Sequence, residues 1–417
     1  MGKYIIEGGR ELNGSLRIKG AKNSVLTLLA ASILTPEKVI LHDCPDIGDV
    51  AVMLRILRKL GCKAERSGDD VEIDSSGLHS YKIACDPAKE LRSSVFMLGS
   101  LLSRLKRARA VYPGGCDIGL RPIDIHLSGL RELGVVVGER HGHIDCDGTA
   151  ARSADIMLDL PSVGATENLM MACVFLDGIS ILRNCAKEPE IVDLQNFLNA
   201  MGAKVRGAGG SVITVEGVKR LHGVEYTPIP DRIVAGTWLI GAAMCGGKLT
   251  VENVVPEHIS SLLSKLPKSS CKIYPRDGKI TIRREGRPRA VPKTETMYYP
   301  GFPTDLQAQM TALQSVSDGT AVIVENIFET RFRSAVELCK MGADITVSGN
   351  TAVVRGVPEL FGARVRATDL RGGASLVLAA AAAMGKSEID EIHHIDRGYE
   401  DLAAILPQVG VRIKRES

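Results

Sequence analysis

One arrangement of apolar and polar positions recurs along the chain: an apolar helix end, a glycine, a short strand, a turn and a second strand. It is read in "LRKLGCKAERSGDDVEID" (57–74), "LRELGVVVGERHGHIDCDG" (130–148), "LNAMGAKVRGAGGSVITVEG" (198–217) and "LCKMGADITVSGNTAVVRG" (338–356). A degenerate copy, "LSKLPKSSCKIYPRDGKITIRRE" (263–285), and a truncated one, "LPQVGVRIKRES" (406–417), complete the set. The glycine after each helix suits a left-handed C-cap. The pairs Gly68-Asp69, Gly209-Gly210, Asp277-Gly278 and Gly349-Asn350 suit β-hairpin turns.

Two further series lie upstream of these copies. In one, a polar cluster precedes an apolar helix: Lys22-Asn23, Arg92-Ser93-Ser94, Ser162-Val163-Gly164, Asp231-Arg232, Asp305 and Asp369-Arg371, the first four spaced by 70 residues. In the other, "CPDIGD" (44–49), "RPID" (121–124), "KEPEIVD" (187–193), "VPEH" (255–258), "ETRFR" (329–333) and "DRGYED" (396–401) open a second helix, several with proline in the first turn. The repeating unit is therefore two helices plus strands, about 70 residues long and present six times, which predicts an α/β fold with three units per domain. The opening "YIIEGGRELNGSLRIKG" is strand-like and has no helix partner, and the last repeat ends early. These strands are expected to complete the C-terminal domain, giving one domain over 21–229 and another over 1–20 with 230–417. A scaffold of stacked repeats would tolerate similar residues at every helix start; here each start carries different polar groups.

Composition narrows the chemistry. The 417 residues with 45% hydrophobic content can fill two cores. A net charge of +3 and 4% aromatics give no support for nucleic-acid binding. Ten cysteines are scattered without a CxxC pair, as expected of a reducing cytoplasm rather than a disulfide framework. No signal core, no apolar run near the ~20 residues of a membrane span, no P-loop and no GxGxxG after a strand appears. The adjacent His393-His394 fit no zinc spacing. No metal, no organic cofactor and no obligate protein partner is expected.

The helix starts carry Lys22, Arg92, Arg121, Arg232, Arg331, Arg371 and Arg397. Helix N-termini with basic side chains attract anions, and such a set at equivalent points of a repeat suits a multiply anionic ligand. Asp305 and Asp369 occupy the same slots, and a carboxylate among arginines favours its charged form. Cys116 lies in "PGGCDIGLRP" (113–122), whose three glycines and two prolines read as a mobile loop. A thiol near cations has more thiolate character.

In order along the chain stand "GAKNSVL" (20–26), "LRSS" (91–94), "PGGCDIGLRPIDIHL" (113–127), "PSVGATEN" (161–168), "KEPEI" (187–191), "IPDRI" (229–233), "YPGFPTDLQAQ" (299–309), "ENIFETRF" (325–332), "ATDLRGGASLV" (367–377) and "HIDRGYE" (394–400). Over nearly its whole length the chain thereby resembles the enolpyruvyl transferase family, specifically its UDP-N-acetylglucosamine 1-carboxyvinyltransferases. The resemblance implies a two-domain inverted α/β barrel of six repeats. It implies transfer of the enolpyruvyl group of phosphoenolpyruvate to the sugar 3′-hydroxyl without a cofactor, at the start of peptidoglycan synthesis. By matching position, Lys22, Asn23, Arg121 and Arg397 look like phosphoenolpyruvate contacts. Arg92, Arg121, Pro122, Ile123, Asp124, Ile125, Ser162, Val163, Gly164, Asp305 and Ile327 look like nucleotide-sugar contacts. Cys116 looks like the thiol that protonates C3 or forms a covalent phospholactoyl adduct, on a loop that reaches a closing cleft and is open to fosfomycin. Asp305 looks like the base, with Lys22 and Arg397 beside it in catalysis. Glu188, Glu190, Arg232, Arg331, Asp369 and Arg371 look like supporting residues. Leu160 stands where a lysine is frequent, and Ser334 where a histidine is usual. The rival readings are a shikimate-type enolpyruvyl transferase, which lacks "PGGC" and "FETRF", and an idle paralogue that only binds a nucleotide sugar.

Overall fold

The computed structural model describes residues 2–83, 91–112, 123–140 and 142–416, with the side chains of Arg92 and Ser93 left aside. Among the described residues the chain forms two compact units, one of residues 20–229 and the other of residues 2–19 with 230–416. Each unit holds three small sheets.

All six sheets follow one plan, and the third repeat shows it. Asp155–Met157 runs parallel to Ile179–Arg183, which is antiparallel to Val212–Glu216, itself antiparallel to the edge strand Lys204–Arg206. A helix crosses over between the two parallel strands, as parallel pairing requires. A second helix leads from the inner strand to the closing hairpin. Lys293–Glu295, Thr320–Val324, Thr351–Arg355 and Asp344–Ser348 repeat the plan in the other unit. In the sheet of Arg107–Val111 the first place is held by a single parallel bridge, Lys82 to Arg109.

Both units close on themselves by borrowing strands. Strand β1 (Lys3–Glu7) is antiparallel to Lys386–Asp390 on one side and to Arg412–Glu416 on the other, so it fills the place that the truncated last repeat leaves open. Strand β2 (Gly14–Arg17) lies parallel to Gly247–Glu252 and supplies the first strand of the fourth repeat. In the unit of 20–229, Val224–Tyr226 does the same for the first repeat by pairing with Val39–Leu41. Each borrowed strand covers backbone groups that would otherwise be an open sheet edge.

Within each unit three helices form the interior: α1 (Lys22–Ala31), α2 (Met97–Leu105) and α3 (Val163–Cys173) in one, α4 (Arg232–Cys245), α5 (Gln307–Val316) and α6 (Leu370–Ala382) in the other. They are buried nearly all round, and in α5 this encloses Gln307, Gln309, Thr311 and Gln314 as well as the apolar residues. Leu26, Leu28 and Leu29 of α1 are wholly buried, each worth about 1.5–3 kcal/mol against exposure. Outer helices such as Gly48–Leu60 and Arg333–Lys340 bury one face only. The α2–α3 contact depends on Gly99: a Cβ there would stand 2.1 Å from the Asn168 carbonyl oxygen. Asn168 Oδ1 accepts from Gly99 N (2.6 Å) and its Nδ2 donates to the Val95 carbonyl (3.3 Å), tying the two helices together.

The expected left-handed caps are present at Gly61, Gly134, Gly202, Gly342 and Gly410, and the degenerate repeat places Ser270 in the same conformation. One expectation needs correction. "VPEH" and "DRGYED" do not open full second helices; they give only the short turns Pro256–Ile259 with Ser260–Leu263, and Leu402–Ile405 with Leu406–Val409. Pro267 and Pro407 interrupt the pattern in both places, since a proline inside a helix removes a donor and clashes with the preceding turn.

Candidate active site

In the unit completed by β1 and β2, the polar helix starts meet. Asp305 sits in the short turn Thr304–Leu306 that leads into α5. Its Oδ1 accepts from Arg331 Nη2, and its Oδ2 lies 3.5 Å from Arg371 Nη2. Both arginines are buried, at 2% and 3% exposure, so the carboxylate compensates charge that water cannot reach. Burial by itself would push the Arg371 guanidinium down, but Asp305, with Tyr399 and Asp231, raises it overall. Asp369 caps α6 by accepting from Arg371 N and Gly372 N (3.0 Å each) and lies 3.8 Å from Arg331 Nη1. Asp231 caps α4 through Ile233 N and Val234 N. Arg371 Nη1 donates to Tyr399 Oη (3.3 Å), which also meets Thr237 Oγ1 (2.8 Å). Arg232 stacks over Tyr299, 5.5 Å from the ring centre. Arg397 is half-buried two residues before Tyr399.

Beside this cluster lies a carboxylate that the sequence reading did not single out. Glu325, 2% exposed, accepts from Thr296 Oγ1 (2.9 Å), Ile327 N (2.8 Å) and Phe328 N (3.1 Å) at Oε1. Its Oε2 accepts from Thr304 Oγ1 (2.9 Å). One side chain thereby fixes the loop of Ile327 and the residue next to Asp305. The only sequence signal was its place at the head of "ENIFETRF".

In the other unit, Lys22 opens α1 and its Nζ pairs with Asp49 Oδ2 at 2.8 Å; Asp49 is 2% exposed in the first turn of Gly48–Leu60. Asn23, next along α1, is half-buried. Asp193 accepts from Ser24 Oγ, from Tyr226 Oη (2.6 Å) and from Ile229 N (3.2 Å). It therefore links the start of α1 to the segment that leaves this unit. Ser162 caps α3, accepting from Ala165 N. A Cβ on Gly164 would stand 2.9 Å from Phe96 and 3.1 Å from His126. Three expected nucleotide-sugar segments are thus neighbours: 162–164, the turn Arg92–Phe96, and the helix start after Ile123 that carries Asp124 and Ile125. Glu190 is buried, and Glu188 is the N-cap residue of Pro189–Ala200. Glu167 is also buried; burial chiefly, with Glu190 beside it, pushes its carboxyl well above the usual range, while a hydrogen bond with Thr27 opposes this.

Cys116, Arg121, Pro122 and the Arg92 side chain lie outside the described residues. Leu160 is exposed; Ser334 is 2% exposed, close to Gly372 in the first turn of α6, which makes it a packing position. The adjacent histidines depart from expectation in one respect. Glu391, in the left-handed region, brings its carboxylate to His393 and His394, so that three possible ligand atoms lie within 4.8 Å. Arg366 lies 3.9 Å from that carboxylate, and burial with the nearby His393 and Arg397 pushes His394 down. Eight described cysteines are free thiols, and among the described residues no helix is long and apolar enough to cross a membrane.

Comparison with known proteins agrees with this architecture. The sequence profile described as EPSP synthase (3-phosphoshikimate 1-carboxyvinyltransferase) matches residues 6–406. UDP-N-acetylglucosamine 1-carboxyvinyltransferase 2 of Caldanaerobacter subterraneus subsp. tengcongensis is 50% identical over 415 residues, covering 100% of both chains. UDP-N-acetylglucosamine 1-carboxyvinyltransferase of Desulfatibacillum aliphaticivorans is 46% identical, again covering 100% of both. Among solved structures, the enolpyruvyl transferase NikO from Streptomyces tendae superposes with a TM-score of 0.89 at 25% identity, covering 99% of this chain and 98% of its own. EPSP synthase from Acinetobacter baumannii shares the fold, with a TM-score of 0.76 at 16% identity over 100% of both chains. Matched along its length by the profile and by relatives this similar, the chain belongs to the EPSP synthase (3-phosphoshikimate 1-carboxyvinyltransferase) family, the carboxyvinyl transferases.

Proposed function

We propose that this protein transfers the carboxyvinyl group of phosphoenolpyruvate to the 3′-hydroxyl of UDP-N-acetylglucosamine and releases phosphate, the first committed step of peptidoglycan synthesis. The observation that carries the choice of acceptor is the 44–50% identity, over essentially the full chain, to curated relatives that bear this activity in their names. The shikimate-type alternative is supported by the family profile and by structural neighbours at 16% identity, which share the fold alone.

The chemistry is an addition followed by an elimination. The sugar oxygen bonds to C2 of phosphoenolpyruvate while C3 gains a proton, giving a tetrahedral adduct. C3 then loses a proton as the C2–O bond to phosphate breaks, leaving the enolpyruvyl ether and inorganic phosphate. In this reading Asp305 takes the hydroxyl proton. Its fixed place between Arg331 and Arg371 supports the role, because a base must be held within hydrogen-bond reach of its proton. Lys22, held by Asp49, Asn23, Arg121 and Arg397 contact the donor's phosphate and carboxylate. The segments at 92, 121–125, 162–164 and Ile327 hold the nucleotide sugar. Glu188, Glu190, Arg232, Arg331, Asp369 and Arg371 support these contacts. Cys116 acts at C3 as the proton donor or through an adduct. The site of action is the cytoplasm, where thiols stay reduced.

The test is phosphate release from phosphoenolpyruvate with either acceptor. UDP-N-acetylglucosamine supports turnover and shikimate 3-phosphate does not. Turnover with shikimate 3-phosphate alone overturns the choice of acceptor, and binding of the UDP-sugar without turnover with either acceptor identifies an idle paralogue.

A further inference from the structure

We propose that Glu325 is a positioning residue that sets two parts of the site from one buried carboxylate: the catalytic Asp305 through Oε2 and the Ile327 backbone through Oε1. The inference rests on the reading of Asp305 as base and Ile327 as a nucleotide-sugar contact.

The geometry divides the side chain's work cleanly. Oε2 holds Thr304 Oγ1 at 2.9 Å, and Thr304 begins the turn that carries Asp305. That turn has no side-chain cap of its own: Pro303 precedes it and cannot supply one. Arg331 and Arg371 thus hold the Asp305 carboxylate, while the Thr304–Glu325 bond holds the residue before it. On the other oxygen, Ile327 N and Phe328 N point at Oε1 while Thr296 Oγ1 donates from the neighbouring strand end, at 2.8, 3.1 and 2.9 Å. Asn326 N in turn donates to Thr296 Oγ1 (2.9 Å), so Thr296 belongs to the loop's support and not to that of Asp305. A core carboxylate with four donors is an expensive way to hold a loop, since each unmatched contact would cost desolvation. Joining the base and a substrate-binding loop through one rigid group gives that expense a function, because small displacements of a base are costly in rate.

Removing Glu325 itself risks unfolding, so the test uses its partners. Thr304→Val deletes the Oε2 contact at nearly constant shape and should lower kcat about fivefold or more, with KM for UDP-N-acetylglucosamine held within about twofold. Thr304→Ser keeps the hydroxyl and should restore kcat. Thr296→Val deletes an Oε1 contact and should raise KM for the UDP-sugar about threefold or more, with kcat nearly kept. If both valine variants change kcat and KM alike, or only lower the melting temperature, Glu325 is a structural residue and the proposal fails. If wild-type protein releases no phosphate with UDP-N-acetylglucosamine, the functional reading fails first. A wild-type enzyme that turns over, with an unaffected Thr304→Val variant, overturns the role of Glu325 alone.

Discussion

Asp305 shows how a single side chain is loaded with two tasks. Its carboxylate faces the buried guanidinium groups of Arg331 and Arg371. As proposed base it contributes by position, and such catalysis is typically worth about 10² to 10⁴ in rate. Asp305→Asn keeps the shape and removes the charge, so turnover should fall by about two decades or more, with UDP-sugar affinity falling less. Viewed from the sequence, the exchange looks harmless to folding, because asparagine caps a helix about as well as aspartate. The structure changes that expectation: without the charge, two buried arginines lose compensation, and the melting temperature should drop as well. Asp369, 3.8 Å from Arg331, limits the damage. Turnover within threefold of wild type, measured as phosphate release on a folded variant, would remove Asp305 from the mechanism.

Helix α3 illustrates what an all-round buried element can tolerate. Its Glu167 is wholly enclosed, with Oε1 lacking a hydrogen-bond partner, and burial, then Glu190, raises its carboxyl well above the ordinary 4.5. In the unfolded chain the same group loses its proton near 4.5. The folded state therefore binds more protons at any pH between the two values, and stability falls as pH rises through that window. Glu167→Gln keeps the volume and cannot ionise. Its melting temperature should exceed that of wild type by an amount that grows as the pH rises above about 5, at about 2–4 °C per kcal/mol removed for a unit of roughly 200 residues. A difference that is constant across this range, or that shrinks, would show that Glu167 does not titrate in the way its burial demands. The outer helix Pro189–Ala200 carries a comparable group, Asp193, which is 1% exposed and also raised by burial, while its hydrogen bonds with Ser24, Tyr226 and Ile229 oppose the rise.

Across the whole molecule, the distribution of thiols sets up a labelling contrast. Burial pushes Cys44, Cys62, Cys146, Cys173 and Cys245 up to about 12, and Cys185 and Cys271 up to about 11. Little thiolate exists at these positions near neutrality. Among the described residues Cys339 is the exposed thiol. Fosfomycin, an epoxide phosphonate, should alkylate Cys116 as the sulfur opens the epoxide C–O bond, with Lys22 and the arginines holding the phosphonate and UDP-N-acetylglucosamine raising the rate. Cys339 provides the internal control: any modification there should be slow and indifferent to the UDP-sugar. Peptide mapping that finds the label chiefly at Cys339, or no ligand dependence at Cys116, would count against Cys116 as the reactive thiol.

The repeat was legible in the sequence because it is written in local chemistry. Glycines that must turn left-handed, hairpin dipeptides and polar helix starts are selected by the backbone within a few residues, so Gly61, Gly134, Gly202, Gly342 and Gly410 announce their helix ends without reference to the rest of the chain. The polar helix starts likewise singled out Lys22, Asp305, Asp369 and Arg371. Which groups pair was not legible. Asp49 lies 27 residues from Lys22, and Arg371 lies 66 residues from Asp305, so only packing brings each pair together. Glu325 and Tyr399 stood in plain view inside recognisable motifs, yet nothing local distinguishes a buried carboxylate with four donors from a solvated one. Desolvation is a property of the folded surroundings. Strand pairing divides in the same way: the sequence showed that β1 and β2 lacked helices, whereas the choice of Lys386–Asp390, Arg412–Glu416 and Gly247–Glu252 as their neighbours depended on which sheet edges the fold left open.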